Sequence, residues 1–416
     1  MKKINVKNLM INLSLLIFVL VCTVRYYIDN FFGSNTALVL LIGANILLLI
    51  NIISNKKIMV TSEKYFIVGI LLFLPSLYKN AYITDHIYSL FFYYFFTITY
   101  SILLCFVKID KNNIKFVLKG FIIFALMTGF VTWLSLFNPE LYISKFIPLM
   151  SSNIQQELLI NFSKLNNRMG LTSHYSRNAF YLILGILGSL YLYLEEHKKK
   201  DLYSIIFFII TMLLVGKRGH LIFIVLSFII SYFIFNRISL KTIFKFSGLA
   251  VVAVLLCFTV IRLIPGTNYT FERIFNNTST DISSGRFEMY NDIFKMYKNN
   301  DYTPIGWSQY ASNTAYTHPG VHNDYIQLFC ETGFVGFLIV VGCNLYILKK
   351  IIKFSQQTKS VLAFVALIYN VFFLLYSLTG LPHYDVETYM YYFLINSIMF
   401  YVMSNKINIE EGEAKV

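Results

Sequence analysis

The sequence predicts an all-α polytopic membrane protein with about 12 transmembrane helices and two large extracytoplasmic loops, the larger of them containing short amphipathic helices. Three observations predict it. Of 416 residues, 57% are hydrophobic and only 13% charged, where a soluble domain carries about 25% charged residues, and the mean hydropathy is +0.62. Apolar segments of roughly 17 to 25 residues recur from end to end, each able to cross a hydrocarbon core of about 30 Å as a helix. The alternating segments of about ten residues that a transmembrane barrel requires are absent from the sequence.

Taken in order, the apolar segments lie near 10–28, 36–53, 65–79, 87–107, 116–137, 178–194, 202–216, 219–235, 243–264, 324–348, 360–378 and 387–404. The first follows Lys2, Lys3 and Lys7, as in a signal peptide, but no small-residue cleavage site comes after it, so it reads as a retained span. With the N-terminus in the cytoplasm, 22 Lys/Arg lie inside and 13 outside, together the 35 of the chain, and the positive-inside rule is satisfied. The net charge of +14 then follows from topology and anionic lipid, with no nucleic acid implied. The expected organisation is five helices in 1–137, an outer loop at 138–177, four helices in 178–264, a larger outer loop at 265–323, three helices in 324–404 and a cytoplasmic tail at 405–416. Cys22, Cys105, Cys257, Cys330 and Cys343 fall in or beside apolar segments without CxxC spacing, so neither a disulfide framework nor a metal knuckle is suggested.

Charged residues are almost absent from the spans and collect on the outer face as Arg168, His174, Arg177, Lys217, Arg218, His220, Arg273, Arg286, His318 and His322. Such a face suits a diphosphate carried on a long lipid, since guanidinium groups fork onto phosphate oxygens. Phe287, Tyr290, Ile293, Phe294 and Tyr297 recur at helical spacing, which predicts a short helix lying on the membrane, capped by Ser283 or Ser284, with Arg286 in its anion-favouring first turn. The turn Gly216-Lys217-Arg218-Gly219 puts two cations on the side the charge rule disfavours. They serve either a ligand or outer lipid headgroups reached by snorkelling. His322, just before an apolar segment, is either a proton acceptor or an interfacial residue capping that helix with Asn323 and Asp324. Tyr302, Trp307, Tyr310 and Tyr316 are candidate sugar contacts. Asp385-Val386-Glu387 reads as a helix start with acids in its first turn. There is no DxD, Walker loop or GxSxG elbow.

Ser284-Gly285-Arg286, Pro304-Ile305-Gly306-Trp307, His322-Asn323-Asp324-Tyr325 and Glu331-Thr332-Gly333-Phe334-Val335-Gly336 together resemble the bacterial O-antigen polymerase and O-antigen ligase superfamily. The Lys217-Arg218 turn is similar to a Ser-Arg turn of that family, and Arg168-x-Gly170 followed by Arg177-Asn178 looks like its third outer loop. The resemblance implies a metal-independent membrane glycosyltransferase, without cofactor, that uses a polyprenyl-diphosphate-linked oligosaccharide at the outer face of the bacterial plasma membrane. Arg218 and Arg286 would then hold the diphosphate and His322 would be the general base. Lys217, Arg168, Arg177, Asn323, Trp307 and Tyr310 are the accompanying candidate substrate contacts. The reading adopted is a repeat-unit polymerase for O-antigen or capsule, working beside a flippase and a chain-length regulator. The alternatives are a ligase acting on lipid A core and a non-enzymatic flippase, although a flippase should carry charges within its spans and internal repeats.

Overall fold

The computed structural model describes residues 6–54, 85–163, 168–237, 285–310 and 320–405, and every regular element among them is helical. We number the main helices α1 (Val6–Phe32), α2 (Thr36–Ser54), α3 (Asp85–Cys105), α4 (Lys111–Phe137), α5 (Ser152–Ser163), α6 (Tyr175–Glu196), α7 (Lys199–Val215), α8 (Arg218–Asn236), α9 (Arg286–Asn299), α10 (Asp324–Thr358), α11 (Val361–Tyr376) and α12 (Val386–Asn405). Ten of the predicted spans fall on these helices, while those near 65–79 and 243–264 lie outside the described residues. Among the described residues, six helices are long and apolar enough to cross a membrane: those at Lys7–Phe32, Thr36–Ser54, Lys111–Phe137, Tyr175–Glu196, Arg218–Asn236 and Asp324–Thr358. The chain is thus a polytopic helical membrane protein.

Burial separates two kinds of helix. α6 and α11 are buried along almost their whole length and form the centre of the bundle. α2 and α8 bury narrow stripes and leave residues such as Val39, Ile53, Ile222 and Val225 exposed, as lipid-facing helices do. Packing of α4 on α6, α6 on α7, α8 on α11 and α12 on α3 closes the assembly.

The predicted 324–348 span needs correction. Gly333 sits at φ 73°, ψ 176° within α10, a region essentially reserved for glycine, and a Cβ there would lie 2.8 Å from Pro304 Cγ. Only glycine fits both the backbone and the space. The side chain of His383 reaches both Asp324 and Asn344, the latter at 2.9 Å, whereas a straight helix would hold those two residues about 30 Å apart. The chain therefore folds back at Gly333. Asp324–Thr332 forms a separate arm lying beside the crossing helix, which begins at Phe334. The turn from Pro304 caps the arm's end: Ile305 and Gly306 donate their N–H groups to the carbonyls of Cys330 and Glu331 at 3.1 and 3.0 Å, taking up acceptors that a helix end leaves open. The Glu331 carboxylate in turn receives the Ser308 and Tyr310 N–H groups at 2.7 and 3.1 Å. Two of the motifs read from the sequence thus hold each other in place.

α9 exists where the periodicity puts it, but two expectations about it change. Its N-cap is Gly285, with no side-chain capping bond, and not Ser283 or Ser284, which lie outside the described residues. Its buried residues are Met289 and Ile293, which with Tyr290, Met296 and Tyr297 pack against Val321, Ile326, Phe329 and Cys330 of the arm and its approach. Phe287 and Phe294 of the expected stripe stay exposed. The helix is committed to the arm first, because the arm offers a second apolar surface.

Candidate functional site

The arm begins at a clasp. His322 is half-buried in the left-handed conformation, φ 56°, and Asn323 caps the arm by accepting the Ile326 N–H at 3.1 Å. The Asp324 N–H donates to Ser377 O at 2.9 Å, and its carboxylate accepts from Ser377 Oγ at 3.2 Å, from the His383 N–H at 3.3 Å and from the His383 ring. Asn344 receives the Tyr392 hydroxyl at 2.8 Å while contacting His383 Nε2. These bonds anchor the residue two positions after His322 and so set where His322 stands.

Beside it, Arg177 in the first turn of α6 pairs with Asp385 at 2.9 Å and with Glu387 at 3.5 Å, and Arg25 of α1 pairs with Glu387 at 2.6 Å. Both guanidinium groups lie over the Tyr26 ring, at 4.6 and 5.0 Å. Burial works against ionisation of Asp385, but the neighbouring Arg177 outweighs it and brings the carboxyl down to about 2. Asp385 also accepts the Thr388 N–H at 3.2 Å and so caps α12, as its expected helix-start role requires. Lys217, the N-cap of α8, places its ammonium 4.9 Å from the Tyr175 ring, which packs on His174 at 4.3 Å. Burial, then Lys217 and Arg177, drive the His174 imidazole well below its ordinary range; Asp385 and His322 also act on it. The starts of α6, α8, α12 and the arm of α10 therefore meet around one cluster of cations, acids and imidazoles.

Not every candidate sits there. Arg168, expected as a substrate contact, is buried, with its guanidinium donating to Ser135 O at 3.1 Å and stacked 4.6 Å over Phe162. Its backbone carbonyl accepts from Asn178 Nδ2 at 3.0 Å, and Gly170 nearby (φ 57°) has Thr128 where a Cβ would go. That Arg-x-Gly signature welds the loop to α4 and α6. Tyr310 is fully buried inside the α9 cluster and presents no ring face to a sugar. Trp307 stacks on Tyr384 at 4.2 Å and meets Tyr94 edge-on. Arg286 is half-buried one and two turns before Met289 and Ile293. The Tyr297–Phe329 contact at 5.5 Å ties the far end of α9 to the arm. Arg218 opens α8, half-buried. His318, Arg273 and Tyr316 lie outside the described residues.

Sequence reasoning missed Arg25, Glu387 as an ion-pair partner, and His383. Arg25 had a signal, since a lone cation within an apolar span marks a buried partner by default. His383 had none, because its partners lie 59 and 39 residues away.

Helices and cluster together define a multi-pass membrane protein with a cationic, imidazole-bearing site at one end of its bundle. Residues 203–341 match the family model described as O-Antigen ligase, which supports a place for the chain in the O-antigen polymerase and ligase superfamily, whose members are glycosyltransferase-like enzymes. The matched stretch includes Lys217, Arg218, Arg286, Trp307, Tyr310, His322 and Asn323 and stops before His383, Asp385 and Glu387. No match was found among curated proteins.

Proposed function

We propose that the chain is a polysaccharide repeat-unit polymerase that transfers a growing glycan from polyprenyl diphosphate to the end sugar of a lipid-linked repeat unit at the outer face of the plasma membrane. The observation that carries this reading is the convergence of Lys217, Arg177, Asp385 and His322 around His174 at the starts of α6, α8, α12 and the arm. An anion and a hydroxyl are thereby served side by side.

In this reading the acceptor hydroxyl gives its proton to the His322 imidazole while its oxygen attacks the anomeric carbon of the donor. The bond from that carbon to the diphosphate oxygen breaks, and the electron pair leaves on the diphosphate. Arg218, Arg286 and Lys217 stabilise that charge, in a place where few waters compete with them. The clasp at Asp324 holds His322 in position, and positioning is the larger part of what such a site contributes. Arg177, already matched by Asp385 and Glu387, orients the cluster and adds little free charge.

The description of the matching model favours a second reading, a ligase using the same donor with lipid A core as acceptor. Purified protein in liposomes separates the two. With the lipid-linked repeat unit alone, a polymerase lengthens chains on polyprenyl diphosphate, whereas a ligase forms product only after lipid A core is added. Product in neither case overturns both readings.

A further inference from the structure

His174 caps α6 with its ring. The Ser176 N–H points at Nδ1 at 3.1 Å, and because a backbone amide only donates, Nδ1 must carry the lone pair. A neutral imidazole with that tautomer bears its proton on Nε2. Nε2 makes no hydrogen bond among the described residues, nor is it sealed away as the nitrogens of His220 are. The ring is half-buried and packed against Tyr175, over which the Lys217 ammonium lies. The charged and titratable groups acting on it are Lys217, Arg177, Asp385 and His322, and it in turn acts on the buried His220. Burial and the two cations oppose a second proton, which keeps the ring a one-proton donor at neutral pH.

We propose that His174, through Nε2–H, is a substrate-binding residue that donates a hydrogen bond to a phosphoryl oxygen of the lipid-linked diphosphate held beside Lys217. The inference rests on the proposed function, and it gives the two histidines opposite duties. His322 takes a proton during the reaction, and His174 keeps its own. A neutral donor suits this position because Lys217, Arg218 and Arg286 already carry charge, whereas a further cation beside them would repel them in the empty site.

Ser is a preferred helix cap, so His174→Ser retains a side-chain acceptor for the start of α6 and removes only the Nε2–H. The probe is polyprenyl diphosphate without sugar, titrated against purified protein in detergent and followed by thermal shift and tryptophan fluorescence. Loss of a hydrogen bond to a charged group predicts binding about 10- to 100-fold weaker in His174→Ser, with the melting midpoint of the unliganded protein close to wild type. The KM for donor rises while the acid limb of the pH–rate profile, assigned to His322, stays in place. Wild-type affinity in His174→Ser would show that the ring is a cap only and overturn the inference while leaving the polymerase reading intact. Failure of wild type itself to bind the probe would overturn both. If His174→Ser unfolds, His174→Asp, which also caps, decides instead: its carboxylate should abolish probe binding, and undiminished binding overturns the inference.

Discussion

The two ends of the bundle solve the same electrostatic problem differently. At the end that carries the start of α4 and the α6–α7 junction, Lys111 pairs with Glu195 at 2.5 Å, and Lys115 and Lys198 share Glu196 at 2.6 Å each, but these side chains remain partly exposed, Lys198 to 55%. At the opposite end Arg25 and Glu387 meet at 2.6 Å with 9% and 2% exposure, and His383 and Asp324 are as deeply buried. Exposed pairs are screened and contribute about 0–1 kcal/mol. Buried ones cost desolvation, and removing one partner strands a charge at about 3–5 kcal/mol. The α4 end thus has ion pairs as fasteners on a surface. The opposite end keeps charge where water is scarce.

The largest expected effect breaks the comparison on the side of chemistry. His322→Gln, which hydrogen-bonds but cannot accept the proton, should lower turnover of purified protein by about 10²- to 10⁴-fold while donor binding stays near wild type. Turnover close to wild type would reduce His322 to an orienting group and send the search for the base to Asp385 or Glu387. Next comes Glu387→Ala, which leaves Arg25 buried and unmatched and should cost about 3–5 kcal/mol in denaturation from micelles. The double change Arg25→Met with Glu387→Leu should recover most of that loss, because it removes both charges. If the double variant is as unstable as the single one, the cost lies in packing and the contrast between the ends is wrong.

Much of the fold was legible because a membrane helix writes its own signature in composition. Ten apolar segments fall on helices, nine of them within about five residues of their expected bounds, while the tenth is broken at Gly333 and runs on to Thr358. The reversal at Gly333 was not legible, since hydrophobic residues continue on both sides of it, Leu328-Phe329-Cys330 before and Phe334-Val335 after, and glycine is commonly tolerated in a membrane helix. What makes it a turn is Pro304 packed against it, a contact across 29 residues of sequence. The candidate site was half legible. His322 and the Lys217-Arg218 turn announced themselves by being polar at apolar boundaries, whereas Arg168 and Tyr310, read as ligand contacts, are buried, Arg168 against Phe162 and Tyr310 in the α9 cluster. A sequence shows that a residue type is unusual for its place, and it does not show what takes up the residue's hydrogen bonds.

Smaller effects sharpen the contrast. Arg286→Lys keeps the charge and loses the planar fork, and should weaken transition-state stabilisation by about 1.5–3 kcal/mol, roughly 10- to 100-fold in kcat/KM. An unchanged rate would remove Arg286 from the anion site. Lys115→Ala at the start of α4 should cost under about 1 kcal/mol, with little change in activity, and raising the salt concentration should shrink even that difference. A loss of several kcal/mol there would mean that the two ends do not differ as described.

α11 is the shortest of the bundle's central helices. Its 16 residues, Val361 to Tyr376, rise about 24 Å against a hydrocarbon layer of about 30 Å. Neighbouring α10 continues from Phe334 to Thr358, some 37 Å by the same rise. Since both meet near Ser360, the loop after α11, carrying His383 and Asp385, starts well short of the end that α10 reaches. That loop is therefore set deep along the bundle: His383 meets Asn344, ten residues along the crossing helix from Phe334, a rise of about 15 Å. The clasp that anchors the arm is thus held inside the bundle, at a depth set by one helix being about four residues short.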